Sequence, residues 1–527
     1  MWTCFAVFLS IVTLAPLLVI DVPPIQDYPN HLARLVILAL GAGDPVLSHM
    51  YRTHWRIIPN LAIDLLMPPL LQVLPVYLAG RLLLALVLLF PSVGVVIYSR
   101  TLFRRHLVWP LFSTLTATSL AFMLGFLNCL ISLGAAFLVA AIWVRWRDHA
   151  PFGTALICGC AASLVFFCHL SGLILLFVLI VSQEAETSLL GPQSRRALLS
   201  ASLKSGFLIF TTFGVSLLLY AMSPLDHLPS GILRMSVPVK IFGLTEPFVS
   251  YATEPGAVTF ACLALFILLC LRTGRWEMPP RSLIAFSLLM GLYVVAPYGT
   301  AGATFVDTRF VIMAALVVFA GFTPCRLPRS AMLVAMLVCA VLTVWRSGSI
   351  AENWARHRPE LRQFRAAIGG VAPGTRVLVV GVPNAENPRF WLGPGNDRHP
   401  LGARLESHLA GLLVIERHAA WPLLFALPSQ QPIEALGRYR FGPPGEGMPP
   451  DYHILLTDRP VAAALKKAPY LQNWRDHFDD VLVLDADAIV DLAQITRAGL
   501  VLVSDTGFAA LFRLRPETKD TPTPMHP

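Results

Sequence analysis

Two clusters of side chains in this 527-residue chain could do chemistry. The first is Asp27, His31 and Arg34 in QDYPNHLAR, with His54 following in THWR. A carboxylate beside imidazoles and a guanidinium can take a proton from a hydroxyl while the cations hold a nearby anion. The second is Asp307 and Arg309 in FVDTRF. Charges at the mouth of an apolar segment are costly unless paired or near water, so they could mark a site. The plain alternative is an Asp307–Arg309 ion pair with no chemistry. His169 in FFCHLSGL could help hold a phosphate or an acceptor, or could simply be satisfied by backbone. Asp226, His227, Lys240, Glu246 and Glu254 share a loop long enough to cover a site, and no spacing singles one out. No Walker loop, HExxH, nucleophile elbow or dinucleotide fingerprint occurs.

The elements that must position these residues are set by composition. Apolar residues make up 56% of the chain and charged residues 13%, where a globular protein carries roughly 25% charged. Apolar runs near bilayer length recur at about 3–20, 78–99, 107–123, 127–144, 154–169, 171–183, 206–221, 256–271, 282–297, 310–324 and 330–346. The expected fold is an α-helical polytopic membrane protein with about eleven spans over residues 1–346, followed by a small α/β soluble domain over 347–527. The first run lacks a basic leader and a cleavage site, so it reads as a span and not a signal peptide.

Charge gives the direction. Arg100, Arg104 and Arg105, Arg145 and Arg147, Arg195, Arg196 and Lys204, Arg272, Arg275 and Arg281, and Arg326 and Arg329 follow the even-numbered runs. Those loops and the N-terminus are then cytoplasmic, and the loop over residues 21–77 is on the outer face. With eleven spans the tail is outside too, periplasmic if the membrane is a bacterial inner membrane. The net charge of +9 lies at span ends, which argues against a nucleic-acid partner. All nine cysteines fall in the membrane half, so disulfides do not hold the tail. Cys158 and Cys160 form a CxC inside an apolar run and read as packing residues.

In the first loop, Pro23 and Pro24 end the first span, and Asp27 sits at the N-cap of a helix with Pro29 in its first turn. The helix runs to about Gly41, with Leu32, Leu35, Val36 and Leu40 on one face and His31 and Arg34 on another, as for a helix lying in the membrane interface. A cap is worth about 1 kcal/mol and is the bland reading of Asp27. After Trp55 and Arg56, a second apolar helix carries Asp64 and should break at Pro68–Pro69. In the tail, strands are expected at Arg376–Gly381, His453–Leu456, Val481–Leu484, Leu500–Val503 and Ala509–Leu514, and helices at 355–367 and 403–413. Asp485 and Asp487 in VLVLDADAIV have DxD spacing, and a strand-end turn is the favoured reading.

The order of one span, an outer loop with an early acidic residue, an interfacial helix, RIIPNLAIDLLMPPLL and then PVYLAGRLLLAL resembles the start of GT-C glycosyltransferases. In architecture it looks like their bacterial GT39/ArnT-like group. The resemblance implies an inverting transfer of sugar from a polyprenyl-phosphate donor to a hydroxyl on a glycan, lipid or protein acceptor, at the outer face and in contact with membrane lipid. It implies that Asp27 is the catalytic carboxylate or, if a divalent cation takes part, its ligand. Arg309–Phe310 resembles the cation–aromatic step thought to hold the lipid phosphate, with Arg34 and His54 as further phosphate candidates and His31, Asp307 and His169 in support. A non-enzymatic component of lipid or polysaccharide translocation or envelope assembly is the alternative. It would place polar residues through the depth of several spans.

Overall fold

The computed structural model describes residues 1–190, 194–227, 237–299, 304–383, 405–442, 447–457 and 462–514. It is a polytopic α-helical membrane protein with a soluble domain at one end. The helices that matter here are α1 (Trp2–Leu14), α2 (Tyr28–Leu40), α3 (Ala62–Leu71), α4 (Val76–Phe103), α5 (Leu127–Trp146), α6 (Pro151–Cys168), α7 (Leu170–Leu190), α8 (Arg195–Ala221), α9 (Thr253–Arg272), α10 (Pro280–Val295), α11 (Val306–Gly321), α12 (Arg329–Arg356), α13 (Arg358–Ile368) and α14 (Gly411–Arg417). Among the described residues, seven segments are long and apolar enough to cross a membrane: α4 to α9, and α12 with α13 continuing it.

The other expected spans fall on shorter or irregular elements. Helix α1 has 13 residues and tightens into a 3-10 turn, Ala15–Leu18, while α10 and α11 have 16 residues each. The run expected at 107–123 forms an eight-residue 3-10 helix, Trp109–Thr116, and a short α-helix, Leu120–Leu124. Hydroxyls favour the tighter winding. Ser113 donates to Pro110 O at 2.7 Å, Thr114 to Leu111 O at 2.8 Å and Thr116 to Ser113 O at 2.8 Å. Runs of 3-10 this long have poor backbone geometry, and this one is buried along its whole length, away from lipid. By contrast α8 leaves Phe207, Phe210 and Leu217 exposed, as a lipid-facing surface requires.

One end of the helical body carries the basic loops, where Arg105 pairs with Glu277 and Arg147 with Glu184. The first loop and the soluble tail meet at the other. Strand β1 (Tyr51–Thr53) pairs antiparallel with β3 (Ile433–Ala435) of the tail. The tail sheet joins β2 (Val377–Val380), β4 (Asp480–Leu484), β5 (Leu500–Asp505) and β6 (Ala509–Leu514) in the order β2-β4-β6-β5. Only the β2–β4 contact is parallel.

Several local expectations need correction. Helix α2 does not lie on a membrane surface: every residue from Tyr28 to Ile37 is buried. Its polar face is covered as fully as its apolar one, because the tail and α3 supply partners for Asn30 and Arg34. Helix α3 does not break at its prolines, since Pro68 and Pro69 lie inside it and it runs on to Leu71. Residues Tyr452–Leu456 form a 3-10 turn and not a strand, because the Asp451 carboxylate accepts from the His453 N–H and starts a helical turn. The helix expected at 403–413 is displaced: a 3-10 turn spans Leu405–His408 and α14 begins at Gly411, while 403 and 404 lie outside the described residues.

Candidate functional site

Asp27 takes the N-cap position of α2, yet its side chain makes no capping bond. Backbone pairing holds the residue instead: its N–H donates to Leu124 O at 3.2 Å, and its carbonyl accepts from His31 N at 3.0 Å. The turn it leans on needs a glycine. Gly125 has φ +87°, and a Cβ there would lie 2.8 Å from Asp27 Cβ.

The carboxylate faces His408 of the tail, whose Nδ1 lies 2.9 Å from Oδ1 of Asp27. The other ring nitrogen, Nε2, is 2.9 Å from Gly447 O. A carbonyl only accepts, so Nε2 carries a proton, and the Nδ1–Oδ1 contact holds a second one. The edge of Phe425 covers both imidazoles, with ring centres 5.2 Å from His31 and 5.1 Å from His408. His31 is held neutral: burial, then the charges of Arg34 and His408, push its pKa well below the ordinary value. Its Nδ1 is buried without a hydrogen-bond partner.

On the other side of the Gly125 turn, Phe126 carries Arg309, whose guanidinium carbon lies 5.0 Å from the ring centre. Among the described residues no carboxylate pairs with Arg309, and its Nε is buried without a partner. Its one direct bond is a long one, from Nη2 to Thr304 O at 3.4 Å. The alternative reading of Asp307 and Arg309 as an ion pair does not hold. Asp307 faces Lys240 at 3.2 Å, and Lys240 also donates to Tyr293 O at 2.7 Å and Ala296 O at 2.8 Å. His169 accepts from Ser171 N at 3.0 Å through Nδ1. Burial first and the nearby Arg309 charge second keep its pKa well below the ordinary value, so the neutral ring offers an N–H at Nε2. Glu246 lies against Asp307, Lys240 and Thr308, and burial is the main force that pushes its carboxyl up to about 7.

Two phosphate candidates stand elsewhere. Arg34 is fully buried and closes on Asp64 with two bonds, Nε to Oδ1 at 2.6 Å and Nη2 to Oδ2 at 3.0 Å. It pins α2 to α3, and its Nη1 is buried without a partner among the described residues. His54 lies beside the β1–β3 ribbon, accepting from Arg56 Nε at 2.6 Å, with its own N–H bonded to Pro432 O. No contact among the described residues brings it to Asp27 or Arg309. The side chains of Asp226 and His227 lie outside the described residues. In the tail, Asp485 is buried in a left-handed turn after β4 and Asp487 is exposed, so the DxD spacing falls on a strand-end turn.

Sequence reasoning missed His408, Phe425 and the Lys240–Asp307 pairing. Nothing near position 408 marks it, because its partner is 381 residues away. Among the described residues no three or more His, Cys, Asp or Glu side chains converge as metal ligands. Asp27 and His408 supply two donors, and both ring nitrogens of His408 are already engaged. This donor set does not fit a resident divalent cation.

No family model and no curated protein matches the chain. Among solved structures, the crystal structure of ArnT from Cupriavidus metallidurans bound to undecaprenyl phosphate is similar at 13% identity, over 98% of this chain and 99% of that one, with a TM-score of 0.46.

Proposed function

We propose that the chain is an inverting glycosyltransferase that moves a sugar from a polyprenyl-phosphate donor to an acceptor hydroxyl, at the end of the membrane domain that carries the tail. The observation that carries this reading is Arg309. It is a half-buried cation with no carboxylate, stacked on Phe126 beside the turn that supports Asp27. A cation kept free of carboxylates next to a positioned carboxylate suits a reaction that takes one proton and releases one phosphate.

In this reaction the acceptor oxygen attacks the anomeric carbon opposite the phosphate. The acceptor proton passes to Asp27, whose Oδ1 is fixed by His408. The bond from the anomeric carbon to the phosphate oxygen breaks, and its electron pair leaves with the lipid phosphate. Arg309 stabilises the growing phosphate charge, and the Nε2–H of neutral His169 adds a donor. Arg34 takes no direct part and acts by holding α2. On this reading the tail, residues 347–527, is outside the membrane on the face of loop 21–77.

The translocation alternative predicts polar groups through the depth of the spans. Among the described residues, the buried and half-buried charged groups of the helical body gather at the two ends: Asp27, Arg34, Asp64, Glu246, Asp307, Arg309 and Arg346 at one, Glu184 and Arg147 at the other. That distribution favours chemistry at an interface. The test is Asp27→Asn expressed in cells lacking the wild-type chain, with envelope lipids and glycans read by mass spectrometry. The expected outcome is loss of one glycosylated product, at least about 100-fold, with normal membrane insertion. An unchanged product profile, when the null strain has lost that product, would sink the mechanism.

A further inference from the structure

Arg346 lies within α12, 2% exposed; the other buried arginine among the described residues, Arg34, meets a carboxylate. No carboxylate pairs with it among the described residues. Its guanidinium bonds to backbone and hydroxyl oxygens: Nη1 to Phe248 O, and Nη2 to Thr118 O at 3.3 Å and Thr118 Oγ1 at 3.0 Å. These acceptors are neutral, so they leave its charge uncompensated, which is costly away from water.

The guanidinium lines a small cavity, open at its mouth, with Thr13, Thr114, Leu115, Thr118, Thr343 and Ser347. The hydroxyls sort by direction. Thr114 donates to Leu111 O and Thr343 to Cys339 O, each at 2.8 Å, so their protons turn away. Thr118 accepts from Arg346, so its proton is left to donate elsewhere. Thr13 is 3% exposed, and its Oγ1 is buried with no partner at all, although a helical threonine ordinarily bonds back to its own turn. The cavity thus gathers one cation and at least two unspent O–H donors, with no carboxylate among its lining residues. A metal ion would meet a guanidinium. A water would satisfy the hydroxyls and leave the charge.

We infer that this cavity binds a small monovalent anion of halide size, held between Arg346 and the hydroxyls of Thr13 and Thr118. The site stands apart from Asp27 and Arg309. It bears on them through the chain, because Thr118 leads into the Leu120–Leu124 helix and the Gly125 turn.

The test uses the full chain in detergent, unfolded by heat in sodium chloride, sodium bromide, sodium sulfate or sodium gluconate at equal ionic strength. The expected result is a saturable rise in Tm of several degrees with chloride and bromide only, as for a ligand that binds the folded state. Thr13→Val, which keeps the shape and removes the hydroxyl, should move the half-saturating chloride concentration up by about tenfold. Arg346→Gln should abolish the dependence. If that variant fails to fold, bromide-soaked crystals of the wild type decide the matter through an anomalous peak between Thr13 and Arg346. Equal Tm in gluconate and chloride, an equal shift with sulfate, an unchanged chloride response in Thr13→Val, or a bound water only at the bromide position would each overturn the inference.

Discussion

The two ends of the helical body use arginine in opposite ways. At the basic end, Arg147 grips Glu184 through Nε at 2.7 Å and Nη2 at 2.6 Å, and Ser205 and Trp143 donate to the same carboxylate. Arg281 closes on Glu186 and Arg105 on Glu277. At the tail end, Arg34 follows that pattern with Asp64, while Arg309 and Arg346 do not. Carboxylates are not scarce there: Asp307 and Glu246 lie close by, and Lys240 takes up Asp307. On the reading proposed above, a buried arginine with its carboxylate is part of the frame, whereas one without a carboxylate is the place for a ligand.

Substitutions can break that contrast. The largest effect on stability belongs to the paired arginine. Asp64→Ala leaves Arg34 buried and alone and should cost about 3–5 kcal/mol, measured by chemical denaturation in detergent. Arg34→Met with Asp64→Leu should recover most of it, and a double variant as unstable as the single one would show that the pair does more than balance charge. The unpaired arginine should behave the other way. Arg309→Gln should lower sugar transfer by about 10²–10³-fold with Tm unchanged or raised; a loss of Tm with activity retained would make Arg309 a frame residue.

Glu246 tests the contrast by pH. Its folded carboxyl sits at about 7 against an ordinary 4.5. Below about pH 4.5 both states hold the proton. Between 4.5 and 7 the unfolded chain releases it first, so stability falls as pH rises through that window. Glu246→Gln should flatten this slope and stabilise the protein by roughly 3 kcal/mol at pH 8; a slope unchanged by the substitution would assign it to another group. The smallest effect lies on the exposed rim. Arg52 pairs with Glu434 at 2.8 Å across the β1–β3 ribbon but is itself exposed, so Arg52→Ala should change stability by less than about 1 kcal/mol. A larger loss would make the ribbon a clamp in its own right.

The apolar segments were legible because crossing a bilayer demands length and composition that little else does. The tail strands were legible for the same kind of reason, as short branched runs at Val377–Val380, Asp480–Leu484 and Leu500–Asp505. Asp27 stood out by its place after the first span as a candidate carboxylate, with a helix cap as the bland reading. The side chain makes no capping bond and turns to His408, which the sequence did not point to. Arg34 and Arg309 looked alike on paper. What separates them is Asp64, thirty residues on, and Lys240, which occupies Asp307. The polar face of α2 suggested water or lipid headgroups, because the residues that cover it lie in the distant tail.

The β1–β3 ribbon has a consequence for biogenesis. Tyr51 pairs with Ala435 and Thr53 with Ile433, so a strand made early must wait for one made near the end of translation. Asn30 waits likewise for Leu423, and Asp27 for His408. A ribosome that has inserted every apolar segment has still produced an enzyme-like shell whose carboxylate has no imidazole. Such a nascent chain exposes its first loop as an open edge, and on the proposed function it would have to await its last domain before it could act.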